Sequence, residues 1–317
     1  MGAYTKFINK ITNAIAIKNR LVRESLAEFI GTFILMIFGN GSEAQSILSR
    51  GAYGEYLSVN WAWGIAVTMG IHFASSVSGA HINPAVTLAK AVVGRFPWYK
   101  VIPYWIMQCL GAFAASACVY GVYYDAINAF DDGIRQVTGP NATAAIFATY
   151  PGQYLSIASG LGDQIVGTML LLSCIFAIID ERNAKPPTGM EPFLIGLAVF
   201  VIGLSFGANC GYPLNPARDF PPRLFSYMVG YPDEVWTPNG VHWWWVPIVG
   251  PFIGGICGAV VYIILIEAHH PKVNELGGTV TTNDEDVEMK RVGNTDRALV
   301  ESDQGTSGTE NKSFNAE

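Results

Sequence analysis

The sequence predicts an all-α membrane protein in which six transmembrane helices surround two half-helices that meet at the midplane of the bilayer, arranged as an inverted repeat. Three observations lead to this prediction. Half of the 317 residues are hydrophobic and only 14% are charged, whereas soluble domains carry about 25% charged residues. Six apolar runs have close to the ~20 residues that cross a bilayer. Two further apolar runs, about half that length, each contain the triplet Asn-Pro-Ala.

Residues 1–24 are interpreted as a basic cytoplasmic N-terminal arm. The arm has no secretory cleavage site after an apolar core, and it carries Lys6, Lys10, Lys18, Arg20 and Arg23. Positive charge marks the cytoplasmic side of membrane proteins, so we expect the N-terminus in the cytoplasm.

A membrane domain is predicted over residues 25–270, with its first repeat at about 25–124 and its second at about 161–270. The expected spans are 25–48, 57–77, 99–124, 161–180, 191–206 and 243–267. Basic residues that follow the second and fourth spans place those loops inside: Lys90, Arg95, Lys100, Arg182 and Lys185. The acidic segment 125–132 and the N-glycosylation sequence at Asn141 are expected outside.

The two halves of this domain echo one another. Residues 28–32 read Glu-Phe-Ile-Gly-Thr and residues 164–168 read Gln-Ile-Val-Gly-Thr. Three spans separate the two copies, so the second repeat must be inserted upside down, and a functional site is expected where such repeats meet.

Residues 271–317 are predicted to form a disordered, acidic cytoplasmic tail. Ten acidic and five basic residues lie there, with few large apolar ones, and such a segment cannot bury enough surface to offset its ordering entropy. A second glycosylation sequence, at Asn311, is expected to stay unmodified in the cytoplasm.

The triplets Asn83-Pro84-Ala85 and Asn215-Pro216-Ala217 predict the starts of two short helices. Asparagine is a favoured helix cap, and proline is tolerated in the first turn. A helix that starts inside a bilayer must hide its free backbone groups in protein or in a water-filled cavity. Two such helices, in corresponding halves of the chain, indicate a pore between facing helix N-termini.

The two triplets, about 132 residues apart and with Arg218-Asp219 after the second, resemble the signature of the aquaporin family. With Asp219 directly after Arg218, the chain resembles the glycerol-conducting branch of this family, the aquaglyceroporins. The resemblance runs from about residue 21 to residue 269. It implies a passive channel for glycerol and water, with urea as a further candidate, that excludes protons and ions. It also implies a homotetramer, a plasma-membrane location with both termini cytoplasmic, and no metal, cofactor or nucleic-acid partner.

The resemblance implies a selectivity filter formed by Trp63, Gly203, Tyr212 and Arg218. Gly203 stands where water-selective channels typically have histidine, and its missing side chain is expected to widen the opening. Trp63 and Tyr212 would face the carbon backbone of a polyol, and Arg218 would bind its hydroxyls. On spacing alone, Trp63 is instead an aromatic anchor at the membrane interface.

Further residues carry expectations from the same resemblance. Glu28 and Gln164 would be buried acceptors that brace the half-helix loops. Without the resemblance, Glu28 is instead a solvated residue at a helix start. His81 is either a pH gate or a neutral histidine bonded to loop backbone. The remaining glycerol-branch markers are the Asp219–Arg223 pair, whose spacing permits an ion pair, and Pro247-Ile248. Pro221-Pro222 is expected to stiffen or bend the second half-helix.

The five cysteines carry no disulfide or zinc pattern. Four of them, Cys109, Cys118, Cys174 and Cys257, are expected to be buried. Cys210 is either a packed residue or a thiol that heavy metals reach from the outer mouth.

Two other classes of membrane transport protein stay open at this point. A strictly water-selective channel is argued against by Gly203 and Asp219. A secondary transporter of small polyols also has inverted repeats and broken helices, but apart from Glu28 and Arg218 the predicted spans offer almost no charge for coupling an ion. The chain is predicted not to be an enzyme, because no Ser-His-Asp arrangement, metal-ligand spacing or phosphate-binding loop is present.

Overall fold

The computed structural model describes residues 2–271, and over those residues the chain is helical, without β-strands. The helices are α1 (Ala3–Ile15), α2 (Arg20–Leu48), α3 (Tyr56–Ser78), α4 (Pro84–Val92), α5 (Val101–Val122), α6 (Tyr124–Asp131), α7 (Ile157–Ile179), α8 (Glu191–Cys210), α9 (Pro216–Met228) and α10 (Val246–Leu265). Residues 272–317, which include Asn311 and all but the first residue of the predicted tail, lie outside the described part, so those expectations stay predictions.

Six of these helices, α2, α3, α5, α7, α8 and α10, have 20 to 29 residues. Together with the short α4 and α9 they confirm the predicted architecture. The predicted boundaries were wrong at several ends. The first long helix begins at Arg20, because the side chain of Asn19 caps it by accepting from the Val22 N–H, and α8 continues past residue 206 to Cys210.

The arm also has structure that its charge pattern did not predict. Helix α1 takes up most of it, with Tyr4, Phe7, Ile8, Ile11 and Ile15 all exposed. Since these residues recur at three- and four-residue spacing, they share one face of the helix. The arm is therefore amphipathic as well as basic.

Large apolar side chains on the long helices are exposed. Phe38, Phe73, Val122, Leu204 and Leu265 each expose half or more of their surface. Lipid tails are as apolar as these side chains, so a bilayer can surround them. By length and composition α5, α7, α8 and α10 are apolar enough to cross a membrane; α2 and α3 are equally long but carry more polar residues.

Glycines bring the helices close at equivalent points of the two repeats. A Cβ on Gly111 in α5 would lie 2.3 Å from the Phe29 carbonyl of α2, and one on Gly254 in α10 would lie 2.3 Å from the Ile165 carbonyl of α7. Phe29 and Ile165 directly follow Glu28 and Gln164. The same close approach in both halves agrees with the repeat predicted from the sequence.

Candidate functional site

The half-helices α4 and α9 start at their Asn-Pro-Ala triplets. Pro84 and Pro216 occupy the first helical positions, and the preceding asparagines cap them. The Asn83 Oδ1 accepts from the Ala85 N–H at 2.8 Å, and the Asn215 Oδ1 accepts from the Ala217 N–H at 3.0 Å.

The same two asparagines join the halves of the chain. The Asn83 Nδ2 donates to the Leu214 carbonyl at 3.0 Å, and the Asn215 Nδ2 donates to the Ile82 carbonyl at 2.9 Å. Each cap therefore binds the loop that leads into the other half-helix. This pair of bonds holds the two helix N-termini against each other.

Both loops have a strained backbone at equivalent positions. Ala80 and Ile82 have φ of 45° and 44°, and Tyr212 and Leu214 have φ of 39° and 52°. Residues other than glycine rarely adopt positive φ. Each one costs on the order of 1–3 kcal/mol and persists only where its surroundings enforce it. The sequence gives no signal for this strain, which requires rigid support from neighbouring residues.

Glu28 supplies that support in the first half. Its carboxylate accepts from the His81 and Ile82 N–H groups at 2.9 and 2.7 Å, from the Ser78 hydroxyl at 2.7 Å and from the Gln108 amide at 2.8 Å. All four contacts are donors, so both carboxylate oxygens must be acceptors. The alternative of a solvated residue at a helix start is wrong, because Glu28 is fully buried.

Gln164 occupies the equivalent place in the second half, with a different set of partners. Its Oε1 accepts from the Leu214 N–H at 3.1 Å, while its Nε2 lies 3.0 Å from the Asp163 Oδ1 and 3.2 Å from the Cys210 sulfur. An amide fits because one side of the site offers a donor and the other offers acceptors.

We expect that exchanging these two residue types destabilises the protein in both directions. Glu28→Gln turns an NH₂ toward a donor, and Gln164→Glu sets a carboxylate against Asp163. A buried polar group left without its partner costs about 1–3 kcal/mol. Thermal unfolding of the purified protein in detergent measures both variants, with exposed Glu55→Gln as the control. Glu28→Gln protein as stable as wild type would contradict the bracing role.

A cavity of about 120 Å³ runs past the two capping asparagines to Trp63, Tyr212 and Arg218. Polar groups come from the two loops, from the two asparagines, and from Lys90 and Arg218 on the half-helices. Much of the remaining lining is apolar and comes from α3, α7 and α8, including Val67, Ile71, Leu171, Ile175, Ile195 and Val199. The passage is therefore amphipathic along its length.

Arg218 lies at one end of this cavity and is held from two sides. One guanidinium nitrogen donates to the Phe147 carbonyl at 3.1 Å, and the guanidinium carbon lies 4.2 Å above the centre of the Trp63 ring. Trp63 is 95% buried, so its interpretation as an interface anchor is wrong. Its indole N–H donates to the Glu43 carboxylate at 3.1 Å.

Gly203 lies beside Tyr212, but it leaves no gap. A Cβ there would lie 2.0 Å from the Asn60 Oδ1 and 2.6 Å from the Tyr212 ring carbon Cζ. The Tyr212 hydroxyl donates to the same Asn60 oxygen at 2.5 Å. The expectation that the glycine itself widens the opening was wrong, because Asn60 and Tyr212 fill the freed space. Gly203 instead lets the Tyr212 ring pack back against α3 and α8.

Asp219 and Arg223 form a fully buried ion pair at 2.7 Å. Asp219 also accepts from the Thr149 N–H at 2.8 Å and from its hydroxyl, and Arg223 donates to the Thr149 and Val235 carbonyls. Thr149 lies two residues after Phe147, whose carbonyl holds Arg218. The pair thus fixes the loop that positions Arg218.

The other expected residues are placed as follows. Pro221 and Pro222 lie inside α9, which continues to Met228. Pro247 lies in the first turn of α10, and neither it nor Ile248 lines the cavity. The Asn141 side chain accepts from Arg50 in a half-buried loop.

His81 and the cysteines have different surroundings. The His81 ring packs against Phe96 and Tyr104, which also contact each other, and its Nδ1 lies 3.1 Å from the Thr87 hydroxyl. Cys210 is buried, as the packing interpretation expects. The predicted burial of the other four was wrong, because Cys118 is exposed and Cys109, Cys174 and Cys257 are only half-buried.

Glu43 was not among the residues predicted from the sequence. It lies in the predicted first span, 15 residues or about four helical turns beyond Glu28, and therefore on nearly the same side of α2. That spacing was the available signal. Glu43 is half-buried and accepts a hydrogen bond from Trp63, one of the expected filter residues.

Comparisons with known proteins agree over most of the chain. The family described as "Major intrinsic protein" matches residues 16–262. The chain is 47% identical to human Aquaporin-9 over 270 residues, which is 85% of this chain and 91% of that protein. It is 45% identical to human Aquaporin-10, over 85% of this chain and 89% of that protein. The X-ray structure of the aquaglyceroporin from Plasmodium falciparum has a TM-score of 0.69 and 30% identity, covering 76% of this chain and 95% of that one.

Proposed function

Because the chain belongs to the major intrinsic protein family, we propose that it is a passive channel that conducts glycerol and water across a membrane. It is an integral, multi-pass membrane protein. The observation that carries the proposal is the amphipathic cavity that ends at Arg218, Trp63 and Tyr212. Hydrogen-bonding loops and a largely apolar lining suit a solute that has hydroxyls and a carbon backbone.

The facing half-helices account for the exclusion of ions. Each helix N-terminus carries roughly half a positive charge from its aligned peptide dipoles. With Asn83 and Asn215 each bonded to the other's loop, both N-termini act on the same narrow point and repel cations. Helix dipoles and arginine serve this purpose in aquaporin-type pores. Arg218 keeps its charge and forms a second barrier.

Glycerol exchanges its hydration shell for protein contacts at the filter. The Arg218 guanidinium donates hydrogen bonds to its hydroxyls, while the Trp63 and Tyr212 rings contact its carbon atoms. Further along the passage, the side-chain amides of Asn83 and Asn215 donate to the hydroxyl oxygens of the passing glycerol. Neutral small solutes such as urea meet the same donors, so urea is a further proposed permeant.

The remaining parts of the proposal follow the family. We expect a homotetramer in the plasma membrane, with both termini in the cytoplasm and with Asn141 on the outside as a glycosylation site. The channel needs no cofactor or metal.

Stopped-flow light scattering on proteoliposomes tests the channel. Glycerol flux should rise linearly with the glycerol gradient and ignore proton and sodium gradients, while sucrose stays excluded. Saturating flux that depends on an ion gradient would favour a transporter, and water flux without glycerol flux would favour a water-selective channel.

His81 provides a test of pH gating. If it gates the pore, glycerol permeability changes between about pH 7.4 and about pH 5.5, the range in which histidine titrates, and His81→Gln abolishes the change. Stopped-flow light scattering measures the glycerol permeability at each pH, in proteoliposomes with the same pH inside and outside. Permeability that stays constant over the range would leave His81 as a packing residue against Phe96 and Tyr104.

A further inference from the structure

A second cavity, of about 330 Å³, lies on the side of Arg218 away from the capping asparagines. Its polar lining consists mainly of Glu43, Ser46, Tyr56, Thr149, Tyr150 and Arg218. Arg218 also lines the pore cavity. This outer vestibule is therefore the compartment that a solute occupies directly before it meets the filter.

Glu43 is the single acidic residue, and Arg218 the single basic one, among the described residues that line this vestibule. The two side chains do not form a direct ion pair within the described part of the chain. Trp63 connects them instead: the guanidinium lies over its ring, and its N–H donates to Glu43. An acceptor and a donor of opposite charge thus line the same space, with an aromatic ring between them.

We propose that the outer vestibule is a binding site for small neutral solutes with several hydrogen-bond donors, such as polyols and urea, in which Glu43 is the acceptor. The proposal rests on the proposed channel function and adds a residue that sets its specificity. One hydroxyl of the solute donates to Glu43, and a second accepts from Arg218.

The chemistry selects for donors. A hydrogen bond to an ionised acceptor is roughly twice as strong as one between neutral groups. Glycerol and urea each present donors and an acceptor, so they engage both charged residues at once. A solute with acceptors alone engages only Arg218. An anion is repelled by Glu43, which complements the barrier to cations at the half-helix N-termini.

Competition between glycerol and water measures binding at this site directly. Osmotic water flux is recorded at a fixed sucrose gradient with increasing glycerol at equal concentration on both sides, and the glycerol concentration that halves the flux reports occupancy. Glu43→Gln keeps an oxygen for the Trp63 N–H while removing the charge. We expect it to raise that concentration about three- to tenfold, as for a charged acceptor replaced by a neutral one.

Two controls isolate the acceptor role. Glu55→Gln, at an exposed residue outside the vestibule, should leave the competition unchanged. Dimethylformamide, which has no N–H or O–H donor, should compete equally well in wild type and Glu43→Gln. An unchanged competition curve in Glu43→Gln overturns the proposal, and so does an equal shift for dimethylformamide and glycerol, which would indicate a general distortion of the filter.

The outcome also separates the site from the channel function. If the wild-type protein conducts glycerol and Glu43→Gln leaves the competition curve unchanged, the result contradicts the vestibule site alone. Wild-type protein that conducts water, yet is neither permeable to glycerol nor inhibited by it, contradicts the proposed function and the site together.

Discussion

Asp219→Ala is expected to destabilise the protein by about 3–5 kcal/mol, the cost of breaking a buried ion pair by removing one partner. Arg223 would be left fully buried without its counter-charge. The Thr149 N–H and hydroxyl would lose their acceptor as well. Because these bonds hold the loop that carries Phe147, the expected damage includes the position of Arg218.

Thermal unfolding of the purified protein in detergent measures the first effect, with a fall in Tm on the order of 10 °C for a chain of this size. The matched control is Glu181→Ala, which breaks the Glu181–Lys185 pair. That pair has the same four-residue spacing but is exposed, and exposed pairs contribute little to stability. Equal Tm values for the two variants would contradict the role assigned to the buried pair.

A second measurement separates stability from function. Asp219→Asn keeps the size of the side chain and one oxygen, so more of the protein should fold. We expect its glycerol permeability per folded channel to fall, because an amide cannot accept from both Thr149 and Arg223 as the carboxylate does. Wild-type permeability in this variant would show that the filter does not depend on the loop.

Local sequence signals predicted the parts of this fold that depend on local chemistry. The starts of α4 and α9 follow from the capping preference of asparagine and the fixed φ of proline. The long helices follow from their apolar length, and Glu28 and Gln164 mark the start of each repeat. These features lie within one helix turn or one span, so the chain carries their signals in short stretches.

Features that depend on contacts between distant residues could not be predicted in this way. The positive φ values of Ile82 and Leu214 arise because Asn83, Asn215 and the two bracing residues hold the loops from outside. The spacing of Glu43 from Glu28 places both on nearly one side of α2, but the role of Glu43 depends on its bond to Trp63, 20 residues away. The family resemblance grouped Gly203 with Tyr212, which does lie beside it, yet it gave no indication that Asn60 fills the space.

Gly203→Ala and Gly203→His are expected to suppress glycerol flux while sparing water. The new Cβ must displace Asn60 or Tyr212. Asn60 is fully buried and donates to the Phe200 carbonyl at 3.0 Å, so it cannot move away. The Tyr212 ring borders the first cavity and also the second one, both of which Arg218 lines, so its free space lies on the side of Arg218. It would swing toward Arg218 and narrow the passage, which affects a polyol more than a water molecule.

The size of the effect follows from the cost of overpacking. An added group in a filled site costs about 1–3 kcal/mol, and the same increase in the barrier to glycerol is a loss of roughly 5- to 150-fold in rate. Stopped-flow measurements of glycerol and water on the same proteoliposomes give both permeabilities. Gly121→Ala, at an open helical position with no atom near the new Cβ, should change neither.

A rescue variant tests the direction of the movement. Combining Gly203→Ala with Tyr212→Ala removes the ring that the new methyl group would push into the pore, so glycerol flux should return toward the wild-type value or exceed it. Equal loss of water and glycerol in folded Gly203→Ala protein would contradict the filter assignment, and so would a double variant that stays closed to glycerol. Either result would mean that the passage is limited somewhere other than beside Tyr212 and Arg218.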